Sequence, residues 1–86
     1  MYLHLGGGVM VAKKSIVGVF DLDNTSQSHI TRAYLAKAEK KGEIINAAED
    51  IPKSFVVCRD GEGMRIYLSQ MAVQTLLKRA NENSVY

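Results

Sequence analysis

Two short apolar runs flanking a glycine-rich turn constrain this chain more than any other feature. Ser54 to Arg59 reads SFVVCR, Met64 to Leu68 reads MRIYL, and Asp60-Gly61-Glu62-Gly63 stands between them. Aromatic and β-branched residues suit extended backbone, and Asp with Gly supplies the reversal, so the segment predicts a β-hairpin. What surrounds it is one helical pattern on each side, too little for the repeated crossovers of a parallel sheet.

A third apolar run, Ile16 to Leu22 (IVGVFDL), is nearly continuous and predicts a central strand covered on both faces. Asp23-Asn24-Thr25-Ser26 then supplies turn and capping chemistry. After it the period changes: Ile30, Ala33, Tyr34 and Ala38 recur at helical spacing and Gly42 stands where a C-terminal stop belongs. A helix is expected from about Ser28 to Lys41, with Lys37, Lys40 and Lys41 facing the negative end of its dipole. Tyr2–Leu5, Gly6-Gly7-Gly8 and Val9–Val11 predict a small hairpin at the start. Glu43 to Lys53 reads as an irregular or weakly extended connection ending in Ile51-Pro52. Ser69 is expected to cap a second helix whose stripe is Val73, Leu76, Leu77 and Ala80. The order β-β-β-α-β-β-α defines one α+β domain over residues 1–80, with a mainly antiparallel sheet and a frayed tail at 81–86.

Composition narrows the function classes. A chain of 86 residues buries roughly 60–70% of its unfolded surface, so its core is modest and self-association would add stability. Cys58 is the single cysteine, which leaves no disulfide framework and no cysteine-based zinc site. His4 and His29 add too few ligands for another metal, and no cofactor is expected. The opening residues MYLHLGGGVMV have neither a basic start nor a long apolar stretch, so the expectation is a cytoplasmic chain without a membrane span.

One motif invites an enzyme. Asp21, Asp23 and Thr25 spell D-x-D-x-T at the tip of an apolar strand, the nucleophile motif of haloacid-dehalogenase-type phosphatases. There the first Asp attacks phosphorus and the second moves a proton beside a magnesium ion. That chemistry needs a doubly wound α/β domain with later strand ends to supply a lysine and further acids, and the hairpin downstream cannot provide them. The expectation is therefore no enzyme, with Asp21 and Asp23 in turn hydrogen bonds. Gly8 to Ser15 spaces like a phosphate-binding loop, but Lys13 replaces its second glycine and its interior is apolar. Cys58 reads as a small core residue.

The charge is +2, from eleven basic and nine acidic residues, but its distribution is uneven. Arg32, Lys37, Lys40 and Lys41 crowd one segment, and Lys13-Lys14 and Lys78-Arg79 are pairs. The acids gather in Glu43–Asp50 and at Asp60 and Glu62. Segregation of this kind can make a basic face on a nearly neutral protein.

LHLGG near the start, IVGVFD, ITRAYL, IPKSFVV, and IYLS followed by TLLKRA occur in an order and spacing that resembles the Rem family of bacterial extracellular-matrix regulators, in its RemB-like branch. The resemblance spans residues 1 to about 80. It implies a DNA-associated regulator of biofilm matrix genes that forms a homo-oligomer, with rings in the RemA-like branch whose basic residues contact DNA phosphates. By location Lys14 and Lys53 match such basic positions, while Pro52 replaces one of the family's arginines and Gln70 replaces a proline. With no helix-turn-helix evident, binding through the phosphate backbone and DNA shape is expected. The candidate DNA contacts are Lys13, Lys14 and Lys53, then Arg32. The alternative is a structural oligomer with weak or no DNA binding. Tyr34, Leu35, Leu76 and Leu77 are candidates for either core or interface.

Overall fold

A computed structural model describes residues 1–22 and 29–82. Its strands are β1 (Tyr2–Gly6), β2 (Val9–Ala12), β3 (Ile16–Asp21), β4 (Ile44–Asn46), β5 (Ser54–Asp60) and β6 (Gly63–Ser69); its helices are α1 (His29–Lys40) and α2 (Val73–Glu82). A single 3-10 turn, Lys13–Ser15, links β2 to β3. The fold is α+β, as the hairpin-centred pattern requires.

Strands β5 and β6 form the expected antiparallel hairpin, from Ser54 opposite Ser69 to Asp60 opposite Gly63. They are the middle of a four-stranded sheet ordered β3-β5-β6-β4, while β1 and β2 pair separately. In β5 every residue from Ser54 to Cys58 is buried, because layers cover both faces of the sheet. Val56 and Cys58 point to one side, where Leu3, Leu5 and Val11 of the β1–β2 hairpin and Leu76 of α2 complete a core. Phe55 and Val57 point to the other, where they meet Ile66 and Ala38 of α1.

The central strand is thus β5, and β3 lies at the sheet edge. IVGVFDL is apolar for another reason than double coverage: Ile16 and Val19 pack on the hairpin side, while Val17 and Phe20 stay exposed. The pairing slips between Ile16 and Gly18, so Val17 occupies a bulge, a common way to bend an edge strand.

Strand β4 is the extended part of the connection expected to be irregular or weakly extended, and only that connection's first residues pair. Helix α1 ends in a glycine stop: Gly42 has φ +72°, its amide donates to Glu39, and the amide of Glu43 donates to the carbonyl of Ala38. This is the paired 6→1 and 5→2 bonding of a Schellman end. The chain therefore leaves the helix toward β6, where the Ile66 amide donates to the Glu43 carbonyl at 2.8 Å. Ile44 to Asn46 then pairs in parallel with Ile66 to Leu68. Three residues are too few to show a period.

Two buried serines tie the layers. Ser69 Oγ donates to the Leu5 carbonyl at 2.8 Å and accepts from the Met71 amide at 3.1 Å. Ser54 Oγ donates to the Met71 carbonyl at 2.7 Å. Ser69 thus closes the β6–α2 turn and does not cap α2, which begins four residues later at Val73. Gly7 seals the hairpin against the sheet layer: at φ +56°, a Cβ there would lie 2.8 Å from the Ala47 carbonyl oxygen.

The helical stripes differ from expectation as well. In α2, Leu76 is fully buried and Leu77 half-exposed. In α1 only Ala38 is buried, with Leu35 packed beside it, and Ile30 and Tyr34 face outward. A narrow helix on a four-stranded sheet covers only part of one face, and α1 lies toward β4.

Candidate nucleic-acid interface

The four basic candidates occupy three different places. Lys13 and Lys14 share the 3-10 turn that enters β3. Lys13 is half-buried, and its ammonium donates to the backbone carbonyl of Ala80 in the last turn of α2. A cation at that end of a helix satisfies an orphan carbonyl and opposes the negative dipole. Lys14, the next residue, is exposed. Ser15 Oγ closes the same turn on the Ala12 carbonyl at 2.7 Å. The turn is thus tied down at two points, with one lysine bonded to α2 and its neighbour exposed to solvent.

Lys53 is exposed at the opposite end of the same ladder. Its backbone is held from both sides: its amide donates to Ser69 at 2.8 Å, and its carbonyl accepts from Leu22 at 2.9 Å. The preceding loop is fixed by side chains. Gln70 Oε1 accepts from the amides of Glu49 and Asp50 at 2.8 and 3.1 Å, and Asn46 Oδ1 accepts from Ala48 at 2.9 Å. Gln70 thus anchors the connection that carries Pro52 and Lys53.

Strand β3 separates the two exposed lysines. Six strand residues at about 3.3 Å each place Lys14 and Lys53 close to 20 Å apart. Within one chain they do not form a single patch. Arg32 lies on exposed α1, in a third location, and has an interaction of its own.

The Lys14 end of the sheet carries more positive charge than Lys13 and Lys14 supply. Cys58 pairs with Ile16, so exposed Arg59 stands at this end. The Lys13–Ala80 bond brings the α2 segment with Lys78 and Arg79 to it too. Arg65 contributes less, because its guanidinium is paired with Asp60, which raises its pKa. Counting the antiparallel register back from the hairpin would have found Arg59; nothing in the sequence joins α2 to the 3-10 turn.

The groups that suggested an enzyme are placed differently from such a site. Asp21 ends an edge strand whose neighbour runs antiparallel, unlike the central parallel strand that a D-x-D-x-T nucleophile requires. Asp23, Asn24 and Thr25, with the turn expected there, lie outside the described residues. The Cys58 thiol is buried and its pKa is pushed up by burial, an effect partly opposed by a hydrogen bond with Ser15. A thiol held protonated in a core is a poor nucleophile. No helix among the described residues is long and apolar enough to cross a membrane.

These features define a small α+β protein whose sheet ends and outer helix display basic side chains. Residues 2–80 match the RemA-like family, described as extracellular matrix regulatory protein A-like. The chain is also 36% identical over 80 residues to extracellular matrix regulatory protein B of Bacillus subtilis (strain 168), covering 93% of this chain and 90% of that protein. The chain belongs to the RemA-like family, and its likeness to that relative makes it a RemB-like member.

Proposed function

We propose that this protein regulates extracellular matrix genes by binding DNA as a homo-oligomer, mainly through phosphate contacts. Membership of a family named for matrix regulation supports the regulatory part. The observation that carries the DNA part is the exposure of Lys14 and Lys53 on hydrogen-bonded segments at the two ends of β3. Both are exposed; the Lys53 backbone is bonded on both sides, and Lys14 lies in a turn tied down by its neighbours Lys13 and Ser15. Because these segments are already folded onto the sheet, only the lysine side chains have to order on meeting a phosphate, at about 0.5–1.5 kcal/mol each. Lys14 and Lys53 make the primary contacts, Arg32 and Arg59 add to them, and Lys13 holds the Lys14 turn in place while its charge adds to the local field.

A single chain at +2 offers few phosphate contacts. Repetition in an oligomer multiplies them, and each one releases counterions, so affinity grows with subunit number and falls steeply with salt. Specificity comes from DNA shape more than from base edges.

The test is a mobility-shift titration with duplex DNA at low and moderate salt, paired with light scattering for mass. The expected result is an oligomer whose binding weakens strongly with salt and varies little with sequence. An oligomer that shows no salt-dependent shift refutes the DNA reading. It would favour the second reading, an assembly or protein-interaction role, which is motivated by Pro52 in place of a family arginine and by the engaged ammonium of Lys13.

A further inference from the structure

Two exposed acids, Glu49 and Asp50, stand close before Lys53 in the chain, yet among the described residues neither forms an ion pair with it. The loop that carries them is closed at its base. The amides of Ala47 and Lys53 donate to consecutive carbonyls of β6, Leu68 at 2.9 Å and Ser69 at 2.8 Å. Between these ties the next residue of the chain reaches into the loop: Gln70 Oε1 accepts from the Glu49 and Asp50 amides at 2.8 and 3.1 Å. The bonds from Ala48 to Asn46 and from Ile51 to Asp50 are local and do not tie the loop to the sheet.

Held in this way, the two acids are turned from the lysine. The Glu49 stem runs beside the β1–β2 turn, where a Cβ added at Gly7 would lie 3.9 Å from Glu49 Cγ. The Asp50 carboxylate folds back to accept from the Ile51 amide at 2.8 Å. The β1–β2 hairpin covers the sheet face onto which Val56 and Cys58 point. Lys53 belongs to the other face. Its neighbour Ser54 sends its hydroxyl to the Met71 carbonyl, and alternation puts Lys53 with Phe55 and Val57, on the side of α1.

We propose that Gln70 is a positioning residue for the phosphate contact of Lys53: by holding the Glu49 and Asp50 amides, it keeps both carboxylates away from that lysine. The proposal rests on the reading that Lys53 meets DNA. Without the Gln70 acceptor, Ala48 to Pro52 is joined to the sheet only at its two ends, and backbone entropy favours a spread of loop conformations. Some of them carry Glu49 or Asp50 to the Lys53 side, where Glu39 already shares the lining of a cavity with Pro52. A carboxylate there repels the phosphate and competes for the ammonium. Gln70 is neutral and acts only through the loop.

The test compares three proteins with the wild type. Gln70→Met keeps the side-chain length and removes the acceptor. Glu49→Gln with Asp50→Asn removes the charges and keeps an acceptor for the Ile51 amide. The third protein combines all three changes. In Gln70→Met, hydrogen exchange at the Glu49 and Asp50 amides should speed up about two- to tenfold, the range for loss of one hydrogen bond. Its affinity for duplex DNA at low salt should fall about two- to fivefold, the scale of an exposed charge interaction. In the neutralised background Gln70→Met should still speed exchange but leave affinity unchanged. A merely structural role for Gln70 would lower affinity in both backgrounds. Unchanged exchange, unchanged affinity in Gln70→Met, or an equal loss in the neutralised background would each overturn the proposal. A wild type that binds no DNA, or a Lys53→Met protein that binds as well as the wild type, defeats the Lys53 contact and the proposal with it. A loss in Lys53→Met beside full affinity in Gln70→Met overturns the positioning role alone. If Gln70→Met loses its native far-UV circular dichroism, Gln70→Ala is judged by the same comparison.

Discussion

Adjacent Lys13 and Lys14 should separate cleanly on substitution by methionine, which keeps the stem and removes the charge. Lys13 donates to the Ala80 carbonyl at the end of α2 from a half-buried position. A net hydrogen bond contributes about 0.5–1.5 kcal/mol, and a cation at a helix C-terminus about 0.3–1 kcal/mol. The two overlap, and solvent screens both, so Lys13→Met should cost about 1 kcal/mol. In a domain of this size that lowers Tm by roughly 4–8 °C. Lys14 is an exposed residue of the turn, so Lys14→Met should leave Tm unchanged within about 1 °C, in line with the small effects of surface substitutions. On DNA the order reverses. Each phosphate contact contributes about −0.9 to the slope of log affinity against log salt concentration. Lys14→Met should remove roughly that amount for every subunit in contact, and Lys13→Met should leave the slope nearly unchanged. Thermal melts and fluorescence anisotropy over about 50–200 mM salt measure the two effects. A Lys13→Met protein with native Tm but a reduced salt slope would refute the division of labour.

Three further outcomes follow from the packing. Ser69→Ala strips a buried donor from the Leu5 carbonyl and a buried acceptor from the Met71 amide, so it should destabilise by about 2–4 kcal/mol, given about 1–3 kcal/mol for each group left unsatisfied; urea denaturation reads this, and a loss typical of a surface serine would contradict it. Gly7→Ala should destabilise more than Gly42→Ala in the same assay: both have positive φ, but only at Gly7 does the added Cβ meet a carbonyl oxygen, so equal losses would mean the hairpin is not pressed on Ala47. Burial raises the Cys58 pKa, so the folded state keeps its proton at a pH where the unfolded thiol loses it. That contribution is complete at neutral pH and is lost as pH climbs above the ordinary thiol value of about 8.5. Cys58→Val should therefore flatten the alkaline side of a plot of stability against pH, and an unchanged alkaline slope would remove the thiol from the argument.

Sequence reasoning succeeded where local chemistry decides. The β5–β6 hairpin follows from a turn between two β-prone runs, and the α1 stop follows from Gly42, whose positive φ a side chain would oppose. The exposure of Lys14 and Lys53 was legible because both lie in polar breaks between apolar runs. The triple glycine announced a hairpin with a loose loop, although the need for Gly7 against Ala47 joins residues forty positions apart.

What remained hidden depends on distant partners. IVGVFDL is equally apolar in the centre or at the edge of a sheet; β5 took the centre because its hairpin partner β6 and the crossing β3 flank it. Strand β4 exists because the end of α1 delivers three residues to β6. Ile30 and Tyr34 kept perfect helical spacing and still face outward, since α1 packs through Ala38 and Leu35.

The β5–β6 hairpin, two apolar runs around Asp60-Gly61-Glu62-Gly63, was determined by the sequence alone: turn and strand preferences act within a few residues and need no tertiary contact to express themselves. The different surroundings of two adjacent basic residues were decided only by the tertiary structure. Lys13 and Lys14 are the same residue type in adjacent positions, and no local preference distinguishes them. The carbonyl of Ala80, sixty-seven residues away, engages one ammonium and leaves its neighbour facing water.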